Sequence, residues 1–305
     1  MKVPAKQENK GVFLALISAA LWGVFPVMVN HGSHIVPPLT FAAISTLLAA
    51  AGSFFYTVLK GKLRELKKKE AYSSLLMITL CIVIIPYTLF FIGSSKTSGI
   101  NTSLLLLSEI IFTLAFTPLI GEKTTVQKLI GASGVFIGAL LILYNGHGKF
   151  HLNSGDIMVI ASTATYPIGN FYAKKALNQV SPSTILFVRF LLGGLFMLPF
   201  AALVEPQSQV SRIIPAEWPI LLFTGLILLG AGKIVWYEAL SRLDISKAIS
   251  LGMTFPFFSL IVLIGIFKES VSGYQWIGIA VMMLGVFFSI RRSSVDPKVT
   301  RYAPD

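Results

Sequence analysis

The stretch GVFLALISAALWGVFPVMV, residues 11–29, decides the fold. It runs 19 residues without a charged side chain. A helix crossing the hydrocarbon core of a bilayer needs about 20 apolar residues, so this segment is predicted to span a membrane. Lys2, Lys6 and Lys10 stand just ahead of it, like the charged n-region of a secretory signal peptide. More apolar runs follow it, however, instead of a mature soluble domain. The segment therefore reads as a first transmembrane helix and not as a cleaved signal.

Further runs of the same kind follow through the rest of the chain. Ten spans are predicted, at about 11–30, 38–59, 71–92, 98–119, 127–145, 155–173, 182–203, 217–240, 245–267 and 274–290. Hydrophobic residues make up 54% of the 305 positions and charged residues 12%. An average soluble domain is about 25% charged, so this chain could not cover a soluble surface. A soluble helical bundle is excluded on the same ground, because the spans lack polar faces. The net charge of +12 comes from 25 Lys and Arg against 13 Asp and Glu. These cations lie mainly in the short gaps between apolar runs, so they read as topology determinants and not as a nucleic-acid surface. With the N-terminus placed in the cytoplasm, 19 of the 25 basic residues fall in inner segments and four in outer loops. Arg189 and Lys233 complete the set, inside predicted spans. Both termini are thus expected on the cytoplasmic side of an inner (plasma) membrane. The run at 60–69 is expected to sit near anionic lipid. The single cysteine, Cys81, allows no intrachain disulfide and reads as a small apolar packing residue.

The two halves repeat. Glu122, Gly131 and Gly138 each recur 147 positions later as Glu269, Gly278 and Gly285. Ser18, Trp22 and Pro38 recur 144 positions later as Ser162, Tyr166 and Pro182, with Tyr in place of Trp. Each unit holds five spans. Five is odd, so the second unit enters the membrane from the opposite side. Inverted repeats of this kind characterise alternating-access transporters whose substrate site lies near the midplane between repeats. The expected division is 1–147 and 148–292, with a short cytoplasmic tail at 293–305.

Specific residues carry a family resemblance over both halves. They are Ala20-Leu21-Trp22-Gly23, then Gly121-Glu122-Lys123 with Leu129-Ile130-Gly131, and the second copy Lys268-Glu269-Ser270 with Trp276-Ile277-Gly278. With these motifs the chain resembles EamA-type members of the drug/metabolite transporter superfamily. The resemblance implies ten helices, a central cavity between the halves, and movement of small metabolites, often outward. It also implies that the fifth and tenth spans lie at the periphery. The chain departs from the family pattern at Glu109, which stands where a proline is common and where Pro256 fits in the second copy. Ser45-Thr46 stands where an Arg-Phe pair such as Arg189-Phe190 is typical.

Ionisable groups inside a bilayer cost about 2.5–3.5 kcal/mol at a helix centre and mark function by default. Glu109, Arg189 and Lys233 lie well inside spans, at depths that could meet in one cavity slightly toward the cytoplasm. In the functional reading Arg189 or Lys233 holds a carboxylate or phosphate, and Glu109 holds an amine or a coupling proton. The bland reading is a structural Glu109–Lys233 ion pair, with Arg189 snorkelling to the inner interface. Trp22, Tyr87, Tyr166, Trp236 and Tyr237 could wall a ring or an ammonium, and Asn170 adds a hydrogen-bonding amide. Pro26, Pro86, Pro167 and Pro256 could kink spans toward the cavity. Glu238, Asp244 and Asp156 read as interface residues. His31, His34, His147 and His151 fall in predicted outer loops, as polar filler. Gly131-Ala132-Ser133-Gly134 matches a serine-nucleophile pattern, but His147 lies about 21 Å further along a helix and cannot serve as its base.

The chain is therefore expected to be a secondary transporter, in the outward direction, of small polar metabolites such as amino acids or related zwitterions. The expected partners are that substrate, the lipid bilayer, and protons or a counter-substrate, with no metal or other cofactor and no nucleic acid. No nucleotide-binding loop is visible, which argues against ATP-driven pumping. A lipid-acting membrane enzyme and a non-transporting receptor or scaffold are the alternatives. The first lacks a convincing set of catalytic residues, and the second lacks a signalling loop or tail.

Overall fold

The structure, a computed structural model, describes residues 5–116, 118, 126–144, 152–240, 242, 243, 251, 252 and 254–290. The motif at 121–123, His147, His151, Asp244 and the tail at 293–305 lie outside the described residues. All described elements are helical, with no strand among them. The helices are α1 (Ala5–Ile35), α2 (Pro38–Leu59), α3 (Lys69–Ser94), α4 (Gly99–Phe116), α5 (Val126–Tyr144), α6 (Ser154–Ser162) and α7 (Tyr166–Ala176). They continue as α8 (Pro182–Val204), α9 (207–240), α10 (Phe255–Gly265) and α11 (Gly273–Ile290). Six described helices are long and apolar enough to cross a membrane, and shorter apolar helices accompany them. Large apolar side chains such as Phe13, Phe55 and Leu203 lie on the outer surface. In water such a surface would aggregate; against lipid tails it is the expected exterior.

Several boundaries differ from the sequence reading. Helix α1 runs beyond its apolar stretch at both ends, so His31 and His34 sit on its last turns and not in a loop. His34 Nδ1 lies 2.7 Å from the Asn30 carbonyl oxygen one turn back. Helix α9 begins at Gln207, ten residues before the expected span, and carries Arg212 within it. Helix needs no apolarity to persist past the hydrocarbon, so hydropathy alone misses such extensions. The expected sixth span is broken at 163–165 into α6 and α7. Pro167 in the first turn of α7 has no N–H to continue a ladder from α6. Asp156, expected at an interface, is fully buried. It forms a capping box with Asn153 and accepts from Thr97 Oγ1 and Asn101 Nδ2.

Two stretches wind as π-helix, Thr79–Ile84 in α3 and Phe223–Ala231 in α9. π-Helical turns leave backbone groups off the regular ladder and concentrate at functional sites. One such carbonyl, on Cys81, accepts a hydrogen bond from Thr165 Oγ1 at 2.8 Å, tying α3 to the break between α6 and α7. Cys81 itself is buried, as its apolar setting suggested.

The packing is not segregated by sequence halves. Helix α1 packs on α9 and α10, whereas α6 and α7 pack on α3 and α4. Each half thus gives its first span to the other. Between these groups, α2 and α8 form an antiparallel pair, laced at both ends by carboxylates. Glu205, just past the end of α8, accepts from Leu39 N, Thr40 N and Thr40 Oγ1 at 2.7–2.8 Å. Glu65, just past the end of α2, accepts from Ser181 N, Ser181 Oγ and Thr184 Oγ1 at the start of α8, also at 2.7–2.8 Å. Each helix is capped at its N-terminus by a glutamate that follows the other, Glu205 directly after α8 and Glu65 six residues after α2. A second antiparallel pair joins α5 and α11. A Cβ on Gly138 would lie 2.6 Å from the Gly278 carbonyl oxygen, so these backbones meet directly.

Candidate functional site

A cavity of about 420 Å³ lies between the two helix groups. Ser18 and Trp22 of α1, Lys233 and Trp236 of α9 and Phe255 of α10 line one side. Glu109 of α4 and Asn170 of α7 line the other. Local backbone irregularity positions several of these groups. Lys233 and Trp236 follow the π-helical stretch of α9, and Glu109 follows the 3-10 turn Leu105–Ser108. Asn170 stands on the first turns after the 163–165 break. Helix α1 reaches the cavity through Gly23. Its carbonyl accepts from Ser259 Oγ at 2.7 Å, and a Cβ there would come within 2.4 Å of the Phe255 oxygen.

The Lys233 ammonium rests over the Trp22 ring, 3.4 Å from its centroid. A cation over a desolvated aromatic face gains about 2 kcal/mol. Trp22 is held flat for this contact by stacking on Phe25, with centroids 4.9 Å apart. Phe25 in turn packs on Tyr87, Phe90 and Phe91. Asn170 Nδ2 approaches Glu109 Oε1 at 3.4 Å, a long hydrogen bond. No Glu109–Lys233 ion pair forms among the described residues, so the structural pair considered from sequence is absent there. Lys233 nevertheless feels the charges of both Arg189 and Glu109.

The remaining sequence candidates are distributed around this cavity. Arg189 is 6% exposed, so it does not snorkel to a surface. Its Nε has no hydrogen-bond partner, and its guanidinium carbon lies 4.8 Å from the centroid of the Phe190 ring. Tyr87 is buried, and both it and Tyr166 are within electrostatic reach of Arg189. Tyr237 points elsewhere, into a neighbouring cavity of about 530 Å³ with Tyr56, Lys60, Glu65, Glu238 and Arg242. There Glu238 pairs with Lys60 at 3.1 Å and Arg242 at 2.6 Å, and accepts from Tyr56 Oη at 2.5 Å. Among the described residues no cluster of side chains suits a metal ion.

Sequence reasoning missed the carboxylates that cap helices across the fold. Glu269 accepts from Gly99 N and Ile100 N at the start of α4, which gives the Lys268-Glu269-Ser270 motif a structural task. Lys268 adopts φ 56° to turn the chain there. The available signal was position: Glu65 follows the predicted second span and Glu205 the predicted seventh. Ser18 and Phe255 were also missed as lining residues. Ser18 was noticed only as a repeat position.

A helical bundle with a lipid-facing exterior, and a cavity between helix groups that holds a few charged and polar side chains, is the architecture of a multi-pass membrane carrier. The chain belongs to the EamA-like transporter family, whose pattern matches residues 9–144 and again 153–291. It is similar to a Bacillus subtilis protein named "Uncharacterized transporter YoaV", with 26% identity over 78% of this chain and 82% of the relative. It is also similar to proteins named "Probable amino-acid metabolite efflux pump". The Salmonella typhimurium protein is 24% identical and the Escherichia coli protein 22%, each over 93% of this chain and 95% of its own length. A solved crystal structure superposes with a TM-score of 0.68 at 16% identity. It covers 92% of this chain and 96% of its own, which shows a shared fold. The family and its relatives place the chain among transporters.

Proposed function

We propose that this protein is a secondary transporter that exports small polar metabolites, amino acids or related zwitterions, across an inner membrane by alternating access. The observation that carries the reading is the cavity between the helix groups, with an ammonium and a carboxylate on opposite walls and no ion pair closed between them. Separated charges of opposite sign suit a ligand bearing both. The names of the efflux-pump relatives favour amino-acid metabolites and outward movement.

The proposed architecture is ten spans in two inverted five-span repeats, 1–147 and 148–292, with both termini cytoplasmic. Three observations support it. The family pattern matches twice. The α2–α8 pair is capped reciprocally by Glu65 and Glu205. The two π-helical stretches begin 144 residues apart, at Thr79 and Phe223, which is the offset of Pro38 and Pro182. Because α1 packs with α9 and α10, and α6 and α7 with α3 and α4, the rocking bodies are these exchanged groups, not the sequence halves. Substrate contacts are assigned to Trp22, Glu109, Asn170, Lys233 and Trp236 at the cavity wall, with Tyr87, Tyr166 and Arg189 behind it. Tyr237 serves the inner mouth.

Liposome flux tests the proposal directly, after a thermal-shift screen against amino acids, polyamines, quaternary amines, sugars and nucleotides. A ligand bound only by the folded state raises the melting temperature. The expected result is an amino-acid-like hit whose shift and flux are weakened in Lys233→Ala. Glu109→Gln is expected to abolish the dependence of flux on a pH gradient. Unchanged pH dependence in a folded Glu109→Gln protein removes Glu109 as the proton carrier.

A further inference from the structure

Charge balance at the cavity narrows the substrate, given the transporter reading above. Two cations, Arg189 and Lys233, stand against one carboxylate, Glu109, and among the described residues these are the charges that act on Lys233. Among the described residues neither cation is paired with a carboxylate. Lys233 rests over the face of a neutral ring. Arg189 is 94% buried, with its Nε orphaned. A buried guanidinium has five donors in a planar fork that fits a carboxylate, and leaving it unmatched is costly. The site is therefore one negative charge short.

We infer that the transported substrate carries one net negative charge: an acidic amino acid or close analogue, with two carboxylates and one ammonium. Its ammonium lies on the Glu109 and Asn170 side, where the Glu109 carboxylate lines the cavity beside the Asn170 amide. Its carboxylates lie on the opposite side. One replaces the Trp22 ring as partner of Lys233, and the other is drawn toward the buried charge of Arg189. A neutral zwitterion would leave one of the two cations unmatched.

Two near-isosteric pairs differing by one charge test this: L-glutamate against L-glutamine, and L-aspartate against L-asparagine. Each is measured by thermal shift and by flux into liposomes. The acid of each pair is expected to bind at least about tenfold more tightly than its amide. Arg189→Gln is expected to bring acid and amide to parity, whereas Arg189→Lys keeps the preference with weaker binding. If Arg189→Gln fails to fold, Lys233→Gln removes one unit of the same positive charge and is expected to narrow the preference likewise. Amides that bind and move as well as their acids overturn the inference while leaving the transporter site standing. A preference for acids that survives in folded Arg189→Gln and Lys233→Gln also overturns it. Silence from all four ligands together with every other class in the screen removes the charge inference and the site reading at once.

Discussion

Gly23→Ala is a small substitution at a position where the structure has no room for it. Gly23 is the last residue of the Ala20-Leu21-Trp22-Gly23 motif and lies where α1 crosses α10. A Cβ there would stand 2.4 Å from the Phe255 oxygen, 2.7 Å from Phe258 Cβ and 3.1 Å from Ser259 N. Two of those atoms are backbone and cannot swing aside. Restoring contacts of 3.0–3.4 Å requires α10 to move by about 0.6–1.0 Å, the difference from 2.4 Å. Overpacking of this kind costs about 1–3 kcal/mol. The displacement also lengthens the Ser259 Oγ to Gly23 O hydrogen bond, now 2.7 Å, which contributes about 0.5–1.5 kcal/mol. The total is about 1.5–4.5 kcal/mol. At about 2.1 cal/mol/K of unfolding entropy per residue over 305 residues, that corresponds to a fall of roughly 2–7 °C in melting temperature. Gly265→Ala is the internal control, because a Cβ there meets nothing within 4 Å. The assay is thermal unfolding of both variants in one detergent, followed by liposome flux. Flux should fall in Gly23→Ala too, because Trp22 and Phe255 line the cavity on either side of this crossing. A Gly23→Ala protein that melts with Gly265→Ala would show that the α1–α10 crossing has room for the added methyl.

Two further outcomes are expected. Burial pushes the Glu65 carboxyl up, but hydrogen bonds from Ser181 and Thr184 and the charge of Lys62 outweigh it, leaving the group below the ordinary carboxylate range. Its contribution to stability is therefore full above the ordinary range and lost as pH falls through the lowered value. Glu65→Gln should flatten that part of the acid limb in a melting-temperature profile against pH. Gly138→Leu should push α5 from α11, because a Cβ at 138 already falls 2.6 Å from the Gly278 oxygen. The expected loss is about 1–3 kcal/mol in thermal unfolding, with ligand preference unchanged, because this pair does not line the cavity.

The sequence made some of this legible and hid the rest for physical reasons. An apolar run announces a helix in lipid because every backbone group must be satisfied within it, so 38–59 and 182–203 were readable almost to the residue. Ionisable residues inside such runs stand out because they are costly, and Glu109 and Lys233 do face one cavity. Helical extension past the bilayer, as at 5–10 and 207–216, carries no hydropathic signal. Neither does the exchange of first spans between halves, which depends on shape at crossings such as Gly23 with Phe255. Asp156 read as an interface residue, and Glu205 drew no reading. Only the fold shows that each sits on the start of a helix, where unpaired N–H groups attract a carboxylate.

The reciprocal caps on α2 and α8 separate a hinge from a gate. A gate is closed at one membrane face and open at the other, so breaking its lock shifts the conformational equilibrium. Here Glu65 and Glu205 hold the same antiparallel pair at both ends at once. The two caps are about 30 Å apart, from the 22 residues of α2 at about 1.5 Å each. A seam fastened at both faces does not open at either, so in the proposed alternating-access mechanism it is the fixed axis about which the exchanged groups turn. Glu65→Gln and Glu205→Gln should each cost about 1–2 kcal/mol, within the range for losing a helix cap. At this separation the double variant should lose the sum to within about 0.5 kcal/mol. Among protein that remains folded, the apparent affinity and the maximal flux should be nearly unchanged in all three variants. A change in flux out of proportion to stability, in opposite directions for the two single variants, would make these residues alternating gates and refute the hinge.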